Sequence, residues 1–193
     1  MKGRTEILAG RNSVREALRA KRRQVDRVWL ADGIGEKGII RDILRLCQES
    51  GIPVSRTKRQ NLTREVKLDR LGERLKHQGV IAQGSPYPYV GLSEILAWAK
   101  QRDEAPFLFA LDSLQDPQNV GSLLRSAEAV GVHGVILPAR RAAGITPAVS
   151  RASAGAVEHL RVTVVNNLAR ALEDLKSAGV WVVGVEDRPE SQD

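Results

Sequence analysis

Cysteine occurs once in the 193-residue chain, at Cys47. A single thiol excludes an intrachain disulfide, and no zinc site can rest on thiolates. Its neighbours Ile43, Leu44 and Leu46 are apolar, which predicts a buried structural thiol. No apolar run approaches the roughly 18 residues that a membrane helix needs. No apolar signal region follows the first six residues, so a cytoplasmic location is expected. No G-x-G-x-x-G follows the apolar run Phe107–Leu111, which argues against a dinucleotide-binding enzyme. His77, His133 and His159 fall in no ligand cluster, and no metal is expected. Internal repeats and low-complexity tracts are also missing.

Acidic residues are scarce in the first half only. Residues 1–90 carry 20 Lys/Arg against 10 Asp/Glu, whereas residues 91–193 carry 10 against 13. The net charge of +7 therefore comes entirely from the N-terminal half. Concentrated Lys/Arg attracts phosphate backbones without reading sequence. A basic surface kept for solubility is the other reading, but confinement to one half favours nucleic acid. Hydrophobic residues make up 42%, enough for a packed core in two small domains or one medium one.

What is present is organised around residues 111–131. The run Phe107–Leu111 before them reads as a buried strand. Leu123, Leu124, Ala127 and Val130 recur at helical spacing. Asn119 is a favoured N-cap, and Gly131 suits the position just past the helix. This is strand, polar loop, helix, and ligands gather where such loops leave the carboxyl ends of strands. Arg125 lies six residues after Asn119, and helical side chains lean toward the N-terminus. A guanidinium and a carboxamide then converge at the strand's end. A solvent-facing Arg beside a capping Asn is the plain alternative.

Residues 1–83 read as a small α/β domain. Asn12-Ser13 begins a helix with Val14, Ala17 and Leu18 inward and Arg15, Arg19, Lys21, Arg22 and Arg23 on its other side and end. Val25–Leu30 alternates as a strand, Ile39–Leu46 is a helix closed by Gly51, Ile52–Ser55 and Gly79–Ala82 are strands, and a basic helical stretch begins at Arg56. Alternation of strands and helices implies a three-layer sandwich. Residues 84–91 are a Pro- and Gly-containing linker, whose Tyr87 and Tyr89 either stack on a base or pack at the domain junction. Residues 92–193 hold a helix over Leu92–Gln101 capped by Ser93, the central stretch, strands at Gly134–Leu137, Leu160–Val165 and Val180–Val185, a short helix from Thr146-Pro147 and a helix over Leu168–Ala178. Four strands with helical crossovers imply a parallel sheet.

Asp116-Pro117-x-Asn119-x-Gly121-x-x-x-Arg125, followed by Gly131, resembles the first motif of the SpoU (TrmH-type, SPOUT superfamily) RNA 2′-O-ribose methyltransferases. Ser150–Ala156 with Glu158 resembles the family's R-x-S-x-G-A segment. Leu8–Leu18 and His77-Gln-Gly-Val80 resemble the substrate-binding domain of the branch that methylates a guanosine in large-subunit ribosomal RNA. The resemblance covers nearly the whole chain.

It implies a ribosomal-protein-like α/β RNA-binding domain over 1–83 and a Rossmann-like, normally trefoil-knotted parallel-sheet domain over 92–193. It implies S-adenosyl-L-methionine as methyl donor, ribosomal RNA or tRNA as partner, and a homodimer in the full-length enzyme. Arg125 matches the residue at the reacting hydroxyl, and Asn119 its orienting partner. A guanidinium is an unusual base because it is effectively always charged. Transient proton loss and electrostatic stabilisation of the developing alkoxide are both open. Arg11, Arg15, Arg19, Arg22, Lys76 and His77 are the candidate RNA contacts. After a strand like Val180–Val185 the family continues into donor-pocket segments, and here the sequence ends Glu186–Asp193. The expectation is a methyltransferase domain represented by its N-terminal part and inactive alone. A non-catalytic RNA-binding fragment is the alternative.

Overall fold

A computed structural model describes residues 5–66 and 76–185, and they form two sheets. The first contains β1 (Glu6–Ala9), β2 (Val25–Ala31), β3 (Val54–Thr57) and β4 (Val80–Gly84) in the order β1-β4-β2-β3. β4 runs antiparallel to both neighbours while β2 and β3 are parallel. Strands β1, β2 and β3 therefore share one direction. Each is followed by a helix, respectively α1 (Arg11–Ala20), α2 (Ile39–Glu49) and α3 (Arg59–Glu65), so all three helices start at one edge of the sheet.

Periodicity explains the layers. Val14, Ala17 and Leu18 of α1 and Ile40, Ile43, Leu46 and Cys47 of α2 are buried against Leu8, Val28, Leu30, Val80 and Ala82 of the sheet. Strand alternation sends Ala9, Ala31 and Ile81 to the opposite face, where Leu62 and Val66 cover them. Burial raises the Cys47 thiol pKa to about 11, which fits the expected structural thiol.

Several boundaries differ from the sequence reading. α1 starts at Arg11 with Gly10 at its cap, where φ is 108°, and Ser13 is buried instead of capping. β3 begins at Val54 because Pro53 has no N–H to give; its carbonyl instead accepts from Val28 N at 3.0 Å. β4 runs into the expected linker through Gly84, where a Cβ would lie 2.2 Å from the Gln24 carbonyl oxygen.

The second sheet is β5 (Leu108–Ala110), β6 (Gly134–Pro138) and β7 (Val162–Val165), parallel and in that order. Val120, Leu124 and Ala127 of α5 (Pro117–Ala129) and Val149 of α6 (Pro147–Ala152) pack with Val135, Leu137 and Val162 on one face. On the other face Ile95 of α4 (Leu92–Gln101) presses on Gly134, and α7 (Leu168–Ser177) packs on β6. α4 is capped by Gly91, whose N–H is bound by Glu94 Oε1 at 2.8 Å, and not by Ser93. Val130 is 64% exposed; the buried stripe of α5 shifts to Val120, Gly121, Leu124 and Ala127.

The expected strand at Val180–Val185 is not formed. Val180 N bonds the Leu175 carbonyl and closes α7. Residues 181–185 have no ladder partner among the described residues, and Trp181 and Val185 are 94% and 99% exposed. Strand propensity is realised only against a neighbouring strand.

Gly121 sets the distance between α5 and α6. A Cβ there would stand 2.3 Å from Ala152 Cβ and 2.8 Å from the Ser153 amide nitrogen. Gly121→Ala should therefore destabilise by about 1–3 kcal/mol in urea unfolding, and Ala152→Gly added to it should restore part of the stability. An unchanged midpoint would contradict this close approach.

Candidate functional site

The first candidate region is the carboxyl edge of the second sheet, where β5 leads into α5. Asp116, not Asn119, is the N-cap: its Oδ2 accepts from Asn119 N at 2.9 Å. Pro117 occupies the first helical position, for which its fixed φ is suited. Asn119 thus lies inside the first turn. Six residues rotate a helix by about 240° net of whole turns, so Asn119 and Arg125 sit roughly a third of a turn apart. Both are exposed, and no hydrogen bond joins their side chains among the described residues. The neighbouring loop after β6 is held alongside, with Ala143 N donating to Leu114 O at 2.8 Å. Ser113 and Arg141 adopt φ of 55° and 57°, left-handed conformations that non-glycine residues enter at a cost of order 1 kcal/mol. This edge presents Asp112, Asn119, Arg125, Arg140 and Arg141 to solvent.

The second region is the edge of the first sheet where α1, α2 and α3 begin. Arg11, Asn12, Ile39, Arg59 and Gln78 line an open groove of about 500 Å³ there. Arg11 Nε donates to Gln78 O at 3.2 Å and the residue stays exposed, as does Lys76. Arg15 and Arg19 flank Glu16 at 2.7 and 3.6 Å. Burial would raise the Glu16 pKa, but the His159 hydrogen bond and the two arginines outweigh it and hold the carboxyl below its ordinary value.

His77 and Arg22 turn inward instead. His77 is 7% exposed. Its Nδ1 accepts from Gly79 N at 3.0 Å, which leaves the proton on Nε2, 3.1 Å from Thr63 Oγ1. Arg22 donates to Tyr87 OH at 3.1 Å and to Pro88 O at 3.4 Å.

Between the two regions lies a polar seam. Arg23, just after α1, meets Glu158 of the second sheet's layer at 2.9 Å, and both side chains are 1% exposed. The Nε–H of Arg23 does not point along that line and finds no hydrogen-bond acceptor; the contact is an ion pair. Ser150 Oγ donates to the other Glu158 oxygen at 2.9 Å. Burial pushes the Glu158 pKa up against the lowering effects of Arg23 and Ser150. Tyr87 OH donates to Leu160 O at 2.5 Å, and Tyr89 OH accepts from Ile145 N at 2.7 Å. Both tyrosines therefore pack at the junction. Gly155, at φ 87°, passes so close to α1 that a Cβ would meet Glu16 Cβ at 2.8 Å.

Residues 106–193 match the model of the SpoU rRNA Methylase family, and residues 7–90 match the RNA 2′-O ribose methyltransferase substrate-binding model. YacO of Bacillus subtilis (strain 168), assigned to the TrmH family of tRNA/rRNA methyltransferases, is 40% identical over 181 residues, 94% of this chain and 69% of that protein. The chain belongs to the SpoU/TrmH family. The tRNA/rRNA methyltransferase slr0955 of Synechocystis is 37% identical over 93% of this chain and 45% of its own length. The SpoU methyltransferase AviRb of Streptomyces viridochromogenes, in complex with AdoMet, superposes with a TM-score of 0.63 at 20% identity, over 91% of this chain and 59% of that one. The SpoU chain thus spans about six tenths of the solved structure it matches.

An adenosine-sized ligand is ordinarily enclosed by apolar walls with a few placed polar groups. At the α5 edge the polar side chains are exposed, while Leu111, Ala143 and Ile145 are turned into the core. No unpaired buried polar atom waits there; the one such atom among the described residues is Arg23 Nε, in the seam. The seam residues Arg23, Ser150 and Glu158 escaped sequence reasoning as a unit, although Ser150 and Glu158 stood within or beside the second motif.

Burial first, and then the Arg59 charge, lower the His77 pKa from its ordinary value near 6.5. A histidine whose folded pKa is depressed contributes stability that is full above the unfolded pKa and lost as pH falls through the folded one. NMR titration should place the His77 midpoint below 6.5, and unfolding stability should decline as the solution is acidified from neutrality. A midpoint at or above the ordinary value would contradict the buried, neutral assignment.

Proposed function

We propose that this chain serves S-adenosylmethionine-dependent 2′-O-methylation of a ribose in RNA. The supporting observation is the intact α5 motif, with Asn119 and Arg125 exposed on one helix at the carboxyl edge of a parallel sheet, in a chain 40% identical to YacO. A guanosine of large-subunit ribosomal RNA is the substrate we favour, with tRNA as runner-up. In this reading residues 1–83 bind RNA and residues 92–193 carry the methyltransferase part. We place the protein in the cytoplasm and the full-length enzyme as a homodimer.

The bound donor would supply an electrophilic methyl; the chain's own residues act on the acceptor. The ribose hydroxyl is a very weak acid, so charge develops on its oxygen as the bond to carbon forms. The planar Arg125 guanidinium, exposed at this edge, suits the adjoining phosphate and the nascent alkoxide. Asn119 both donates and accepts and orients the ribose from the first helical turn. The groove between Arg11 and Arg59 takes phosphates farther along the RNA.

Arg125→Ala should lower methyl transfer to RNA by about 10²–10⁴-fold while RNA affinity is retained, measured against the unaltered protein. Near-normal turnover would return Arg125 to a solvent-facing role.

A second reading, RNA binding without transfer, is favoured by the solvent-facing polar side chains of the α5 edge, Asp112, Asn119, Arg125, Arg140 and Arg141. Calorimetry of the 193-residue chain with S-adenosylmethionine separates the two. The first reading expects saturable heat and the second expects none. Micromolar binding at one site per chain, or per dimer, would show that assembly completes a pocket and would remove the second reading.

A further inference from the structure

The amino edge of the second sheet, opposite the α5 edge, collects basic and aromatic side chains that the functional reading leaves unused. Arg161 immediately precedes β7, and Trp98 and Arg102 stand at the end of α4, which leads into β5. The Arg161 Cζ lies 3.6 Å from the Trp98 ring centroid, and that of Arg102 lies 5.6 Å from it. Arg22 approaches from the first sheet, 5.6 Å from the Tyr87 ring.

Their charges are poorly answered. Arg102 pairs with Glu104 at 3.1 Å. Among the described residues, Arg22 has only the neutral oxygens of Tyr87 and Pro88. Arg161 is partly buried, yet its guanidinium has no ion pair or hydrogen bond among the described residues. Burial, then the charge of Arg22, lower its pKa, with Arg102 adding to the effect and Tyr87 and Glu94 opposing it. A guanidinium stacked on an indole keeps its N–H donors directed outward from the ring's edge, in a fork that matches phosphate oxygens. Folding has therefore brought two cations, Arg161 and Arg102, onto one aromatic face, with no internal acceptor for the more confined of them among the described residues.

We propose that Arg161, Arg102 and Trp98 form a second RNA-binding surface, which takes backbone phosphates of a stretch of RNA separate from the one presented at α5. The inference rests on the reading of this chain as an RNA-modifying protein. The two edges are separated by the length of β7, four residues, or roughly 13 Å at about 3.3 Å per residue. A structured RNA lying along the molecule spans that distance easily, whereas an isolated nucleotide does not.

The test uses the full chain and a fluorescein-labelled ribosomal RNA hairpin, with anisotropy measured across a KCl series. Arg102→Met combined with Arg161→Met should weaken binding about tenfold at low salt and flatten the log–log salt slope by about two, one for each phosphate no longer neutralised. Arg102→Met alone, at an exposed position, should flatten it by about one and guards against misfolding of the double variant. Arg161→Lys should retain the slope. In a chain carrying Trp29→Phe and Trp181→Phe, the hairpin should quench Trp98 fluorescence. If the unaltered chain binds no RNA, the functional reading falls and this proposal with it. If it binds, but the variants keep its slope and Trp98 stays unquenched, this proposal alone is overturned and binding belongs to the first-sheet groove. Displacement of the hairpin by polyglutamate as readily as by unlabelled RNA would also overturn it, in favour of an acidic protein partner.

Discussion

The arrangement of the molecule depends on one buried ion pair, Arg23 with Glu158. Each side chain is 1% exposed and the two stand 2.9 Å apart. Two charges so placed gain little net stability, because desolvation offsets most of their attraction. Loss of Arg23 would leave the Glu158 carboxylate uncompensated inside, whereas Arg23 keeps a second carboxylate, Glu6 Oε2, 3.4 Å from its guanidinium. The pair bears on geometry, because it brings the guanidinium of the first sheet's layer against the carboxylate of the second. Ser150 holds the second carboxylate oxygen, and the Arg23 guanidinium lies 5.5 Å from the Tyr87 ring centroid.

This constraint makes a motif segment intelligible. Ser150, Ser153 and Glu158 are all buried, and Ser153 Oγ donates to the Ser150 carbonyl. Their segment faces α1, with Gly155 at the point of closest approach. The α5 motif is different, for its polar residues face outward. One motif builds the joint and the other turns its polar side chains to solvent, although both read as polar punctuation in the linear chain.

Much of the architecture was legible in the sequence. Helical spacing gave the inward faces of α1 and α2, and apolar runs gave β2, β6 and the parallel second sheet. Caps were less legible, because Asp116, Asn119, Asn12, Ser13 and Ser93 are all good capping types and only the local path of the backbone chooses among them. At α5 the choice falls on Asp116 because Pro117 suits the first helical position. Charge counting was blind in another way. It treated Arg22 and His77 as available cations, whereas Arg22 is engaged by Tyr87, 65 residues on, and His77 by Gly79 and Thr63. Partners distant in sequence leave no periodic trace, so the seam was invisible. Val180–Val185 has strand composition, but composition cannot supply the neighbour that a ladder needs.

Cys47 lies wholly inside the first sheet's core, with its thiol pKa held at about 11. At neutral pH the nucleophilic thiolate is then a minute fraction of the total, and alkylating reagents reach it only when the domain opens. The native chain is in effect a cysteine-free surface. A new cysteine placed on α5, α4 or the groove can carry a spin label or fluorophore with the natural thiol left in place, and the slow modification of Cys47 itself becomes a clock for opening of the first sheet.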